Sequence, residues 1–143
     1  MTTKQLMKLA EKGRIIPPPK LSKFPQQVST EIQQWDNIIA ATHWDLYDNM
    51  KPDGADFYVG DEELGHIHLD GSIHLATNQL LKTALLKSKM ANNFPYGKFW
   101  VCYDILTIKD VEHALFLFRL NYDRLKGLDD NGLLATVKNF RES

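Results

Sequence analysis

A single cysteine, Cys102, is present among 143 residues, so no intrachain disulfide can form and a reducing, cytoplasmic setting is expected. No apolar stretch approaches the roughly 20 residues that span a bilayer. The chain does not open on an apolar segment followed by a small-residue cleavage site, so neither membrane insertion nor secretion is expected. An excess of one charge is lacking too. Seventeen basic residues against 18 acidic leave a net charge of −1, no electrostatic footprint for a nucleic-acid partner. Internal repeats are absent, as are GxGxxG, the glycine pattern that cradles a dinucleotide, and HExxH, the helical zinc-protease pair.

What is present is an ordinary globular composition, 43% hydrophobic and 24% charged, in a chain long enough for one core. Charge is unevenly spread. Residues 1–23 carry Lys4, Lys8, Lys12, Arg14, Lys20 and Lys23 against Glu11 alone, a local charge of +5 that leaves −6 for the rest. Such single-sign runs are ordinarily solvated arms, although a basic arm can also dock on an acidic body or partner. The sequence divides into a basic N-terminal helix and proline-rich linker over 1–27 and a single α+β domain over 28–143.

Leu6, Met7 and Leu9 suggest a short helix over 3–12, stopped by Gly13. Pro17-Pro18-Pro19 then fixes an extended stretch, making 13–27 a linker. Ser29 or Thr30 can cap a helix whose Ile32, Trp35, Ile38 and Ile39 recur at helical spacing as far as Ala41. From Thr42 the period becomes two, through Tyr47, which predicts a half-buried strand. Residues 48–56 read as a turn, followed by a strand at Phe57-Tyr58-Val59. Thr77 or Asn78 caps a helix with Leu80, Leu81, Ala84 and Leu85 inward, and Lys98–Leu106 reads as a central strand apolar on both faces. Thr107–Asp110 starts a helix with the stripe Val111, Ala114, Leu115, Phe118, Tyr122 and Leu125, and Gly127 stops it. Residues 131–140 are weakly helical. The expected fold is α+β, a mainly antiparallel sheet with helices on one face, in the order α-α-β-β-β-β-α-β-α.

The densest chemistry lies at Gly65–Leu75, GHIHLDGSIHL, where Asp70-Gly71 predicts a hairpin turn. Facing residues in a hairpin share a side, so the loop length decides where the histidines point. A two-residue Asp70-Gly71 loop would put His66 and His68 beside Ile73 and Leu75. A three-residue Leu69-Asp70-Gly71 loop groups Ile67, Ile73 and Leu75 on one face and His66, His68 and His74 on the other. The second is adopted because it leaves the hairpin consistently amphipathic.

Three imidazoles so placed suit Zn²⁺ or another borderline divalent metal with one position open to water. Asp70, Asp61 or Glu62 could complete such a site. A metal-free polar pocket and merely solvated histidines are the competing readings. Cys102, in an apolar strand without a basic neighbour, reads as a buried inert thiol, and His113 as solvent-facing. Asp61-Glu62-Glu63 reads first as a charged turn. Trp35, Trp44 and Trp100 read as core or pocket wall.

The segment ADFYVGDEELGHIHLDGSIHL, the strand FWVCYDI and the helix KDVEHALFLFRLNYDRL together resemble the luciferase-like domain family, small bacterial and fungal proteins. The resemblance spans roughly Ala55–Leu125. It implies functional weight on Glu63, Gly65, His66, His68, Gly71, Trp100, Asp110, Tyr122 and Arg124. His74 stands where the family commonly has an acidic residue, so the resemblance implies the His66 and His68 pair alone, and light emission is implied only by the family's name. The first functional expectation is a small-molecule or metal site on a histidine-lined sheet face, with His66, His68, His74, Glu63 and Trp100 as ligand-binding residues and His66, His68 and His74 as metal ligands. The alternative is a non-enzymatic interaction or homodimerisation module whose basic arm and open sheet face form the interface.

Overall fold

In the computed structural model, which describes residues 12–48 and 50–142, the elements run α1 (Lys23–Ile32), β1 (Ile38–Trp44), β2 (Pro52–Val59), β3 (Glu62–His68) and β4 (Ser72–Ala76). After these come α2 (Gln79–Lys87), β5 (Asn92–Asn93), β6 (Trp100–Asp104), α3 (Ile108–Leu125) and α4 (Asp130–Glu142). The expected α+β class holds. All strand pairs are antiparallel, in the order β1-β2-β3-β4-β6-β5. The helix expected over residues 3–12 falls almost wholly outside the described residues.

One face of the sheet makes the core. Alternation places Ala55, Phe57, Ile67, Ile73, Leu75 and Val101 under the helices, against Ile32, Leu81, Leu85, Leu117 and Phe118, all fully buried. The rings of Phe57 and Phe118 meet edge to face at 5.9 Å. Asn78 caps α2 by accepting from the Leu81 amide at 2.9 Å. At the start of α3, Asp110 reaches back to the Thr107 amide at 2.9 Å and also accepts from the Tyr103 hydroxyl at 2.6 Å, tying helix to strand.

Six local expectations are corrected. The first helix spans 23–32 rather than 29–41: Pro25 is tolerated in its first turn, where amides have no helical partner. Asn37, with φ 65°, then turns the chain, so Ile38 and Ile39 belong to a strand despite their helical spacing. That strand ends at Trp44, because Asp45 accepts from the amides of Tyr47 and Asp48 and folds the chain into a turn. The next strand begins at Pro52, inside the segment read as a turn, and β6 lies next to the two-residue edge strand rather than at the centre. His113 is half-buried rather than solvent-facing, its Nε2 2.7 Å from the Met90 carbonyl and its ring against Tyr103. Residues 130–142 form a full helix whose Leu133 and Val137 join the core.

The basic leader, over its described residues, is a docked strap instead of a solvated arm. Thr42 donates its amide to the Ile16 carbonyl at 2.9 Å and its hydroxyl to the Pro17 carbonyl at 2.7 Å. Trp44 donates its indole N–H to the Arg14 carbonyl at 2.8 Å. Among the described residues, no helix is long and apolar enough to cross a membrane.

Candidate functional site

The open face is built on one row of paired residues. Ala41 pairs with Asp56, Asp56 with His66, His66 with His74, and His74 with Cys102, so these side chains lie side by side across five strands. A second row runs from His43 through Gly54 to His68. No side chain at Gly54 stands between the two imidazoles, whose centroids are 5.0 Å apart.

The hairpin has the odd loop. Ile67 pairs with Ile73, the Gly71 amide donates to the His68 carbonyl at 3.0 Å, and Gly71 has φ 92°. His66, His68 and His74 consequently share the open face. His74 Nδ1 lies 3.0 Å from His66 Nε2 and 3.2 Å from His68 Nε2. With Trp44, Phe94, Tyr96 and Trp100 they line a pocket of ≈ 330 Å³. The aromatic residues form its walls and the imidazoles and Asp53 its polar floor.

Three residues missed in the sequence complete the floor. His43 stacks on His66, with ring centroids 4.1 Å apart, and donates from Nδ1 to Asp56 Oδ1 at 2.7 Å. His68 donates from Nδ1 to Asp53 Oδ2 at 2.8 Å. A carboxylate facing Nδ1 favours the neutral tautomer that carries its proton there and its lone pair on Nε2. His43, His66 and His68 form the histidine trio whose ligand atoms all lie within 4.8 Å of one another, and Asp56, Glu63 and His66 form a second such group. His74 stands beside the first trio without joining it.

Two β-bulges explain the carboxylates. Strict alternation would send Glu63 and His66, three apart, to opposite faces. Between Phe57 and Tyr58 the register slips, so that Glu63 faces Tyr58 while His66 faces Asp56. Both then point to the open side, and Glu63 Oε1 comes within 3.8 Å of His66 Nδ1. A slip opposite His43 and Trp44 does the same for Asp53. Asn121, fully buried on α3, holds the first bulge by donating to the carbonyls of Leu64 and Ala76, each at 2.9 Å.

Burial and neighbouring charge set the protonation states. Burial, more than any other cause, holds His66 below the usual imidazole range, and burial followed by the charges of His66 and His68 brings His74 down to about 3. Burial alone would raise Glu63, but the neighbouring His66 ring and the Lys12 ammonium outweigh that and bring it down to about 2. His66 and His74 are therefore neutral, with lone pairs available, while Glu63 is charged. Cys102 is half-buried, its thiol pushed up by burial and by Asp104, consistent with an unreactive group.

Residues 61–121 match the family model described as Luciferase domain. The resemblance seen in the sequence is thereby borne out over a segment that contains Glu63, the hairpin, Trp100 and most of α3. No curated protein and no solved structure gives a significant match.

Proposed function

We propose that this chain, luciferase-like over residues 61–121, binds a divalent metal ion such as Zn²⁺ on His43, His66 and His68 and takes a small molecule into the aromatic-walled pocket above it. The carrying observation is the pair of carboxylate–imidazole hydrogen bonds, Asp56 to His43 and Asp53 to His68. Each favours a tautomer with Nε2 unprotonated, the arrangement by which metal-binding histidines are oriented and made more basic. His66 and His68 thus keep the role expected from the sequence, while His43 takes the place expected for His74. An ion held by three imidazoles keeps a position for water or a ligand oxygen and acts there as a Lewis acid. The lone, half-buried Cys102 supports a cytoplasmic setting.

Isothermal titration of the metal-free protein with Zn²⁺ tests the proposal. One ion per chain is expected, with affinity lost in His43→Ala plus His68→Ala. No binding, or binding unchanged in the double variant, would overturn it.

A second reading, an interface on the open face, draws on Leu46 and Tyr96, which line the pocket and stand 85% and 89% exposed, and on Tyr47 beside Leu46 in the chain, 93% exposed. Sedimentation velocity separates the two: a dimer dissociated by Tyr47→Ser plus Tyr96→Ser supports the interface, and a monomer at all concentrations removes it.

A further inference from the structure

Beside the histidine trio lies a second group with a different chemistry. Asp56, Glu63 and His66 present ligand atoms all within 4.8 Å of one another, and one cation of the chain already sits on them. The Lys12 ammonium bonds to Glu63 and lies 3.8 Å from Asp56 Oδ2. The carboxylates hold Lys12 well above the usual ammonium range although burial, the largest single influence, acts in the opposite sense. Lysine nonetheless satisfies the group poorly. Asp56 is 1% exposed and its Oδ2 makes no hydrogen bond, and the buried His66 Nδ1 is likewise without one. That nitrogen is 3.7 Å from Asp56 Oδ1 and 3.8 Å from Glu63 Oε1, aimed between the two acids. A buried carboxylate oxygen and a buried imidazole nitrogen left unpaired at one point are costly unless something binds there.

We propose that Asp56, Glu63 and His66 form a divalent-cation site, latched by the Lys12 ammonium of the N-terminal strap, which the ion must displace. Two carboxylates and one imidazole make a harder donor set than three imidazoles, so this site takes Mn²⁺ more readily than the histidine trio does. The two share His66, but neither depends on the other.

Titration of the metal-free full chain with Mn²⁺, followed by loss of the free-ion paramagnetic resonance signal, tests the latch. Lys12→Met and Lys12→Gln remove the ammonium and are expected to bind Mn²⁺ at least about tenfold more tightly than the wild type, whereas Lys12→Arg keeps the charge and the weak binding. Adding Glu63→Gln to Lys12→Met should abolish the gain. If the ammonium-free variants fail to fold alone, refolding by Mn²⁺ that is lost with Glu63→Gln is the expected result. Lys12→Met and Lys12→Gln binding no better than wild type, a gain that survives Glu63→Gln, or unfolded variants that Mn²⁺ does not rescue would overturn the proposal. Zn²⁺ titration of the wild type reports separately on the histidine trio.

Discussion

His43 lies flat on His66, with ring planes 12° from parallel, although one belongs to an outer strand and the other to an inner one. Two imidazoliums at this distance would repel, so the stack disfavours a second positive charge beside His66. His66 and His74 are both held below their ordinary range, so each disfavours its charged form in the fold. Their stabilising contribution is complete above the unfolded value of about 6.5 and is lost as pH falls, for His74 down to about 3. Glu63, lowered to about 2, adds a loss of the same sign below about 4.5. Thermal melts should therefore show stability falling steadily from pH 7 to pH 4, with a shallower fall in His74→Gln. A flat profile would contradict the neutral cluster.

Asn121→Leu should cost about 1–3 kcal/mol in urea unfolding, since the buried Leu64 carbonyl loses its donor while that of Ala76 keeps only Arg124. It should also weaken Mn²⁺ binding in the Lys12→Met background, because the bulge it releases is the one that aims Glu63.

Gly54→Ala should be among the most damaging substitutions. A Cβ there would stand 1.9 Å from the Ile67 carbonyl oxygen, backbone that cannot yield without parting β2 from β3. Gly65→Ala meets the His74 carbonyl at 2.4 Å across the next pair. Each should cost about 3 kcal/mol or more by chemical denaturation. Gly60→Ala, where a Cβ meets nothing but φ is 60°, should cost only about 1 kcal/mol.

Much of this was legible in the sequence, and the reason lies in periodicity. Ile67, Ile73 and Leu75 could share a face only with an odd loop, and the Gly71 turn supplies it, so the three hairpin histidines were placed correctly. The stripe on α3 gave Val111, Ala114, Phe118 and Tyr122 as core in the same way. What escaped was whatever departs from periodicity. Glu63 and Asp53 reach the open face through bulges, which shift parity by one residue and leave no mark in the alternation. His43 was readable as a strand residue but not as a neighbour of His68, because that contact passes over Gly54 from a strand far away in sequence. The first helix was misplaced because Ile38 and Ile39 happen to continue its spacing past the turn at Asn37.

The central claim, that His43, His66 and His68 hold one divalent ion, is tested most directly by zinc K-edge X-ray absorption on the chain loaded with one equivalent of Zn²⁺. The expected spectrum shows three imidazoles at about 2.0–2.1 Å, falling to two in His43→Ala and remaining three in His74→Phe. A spectrum without imidazole scattering, or one that loses an imidazole in His74→Phe but not in His43→Ala, would contradict it.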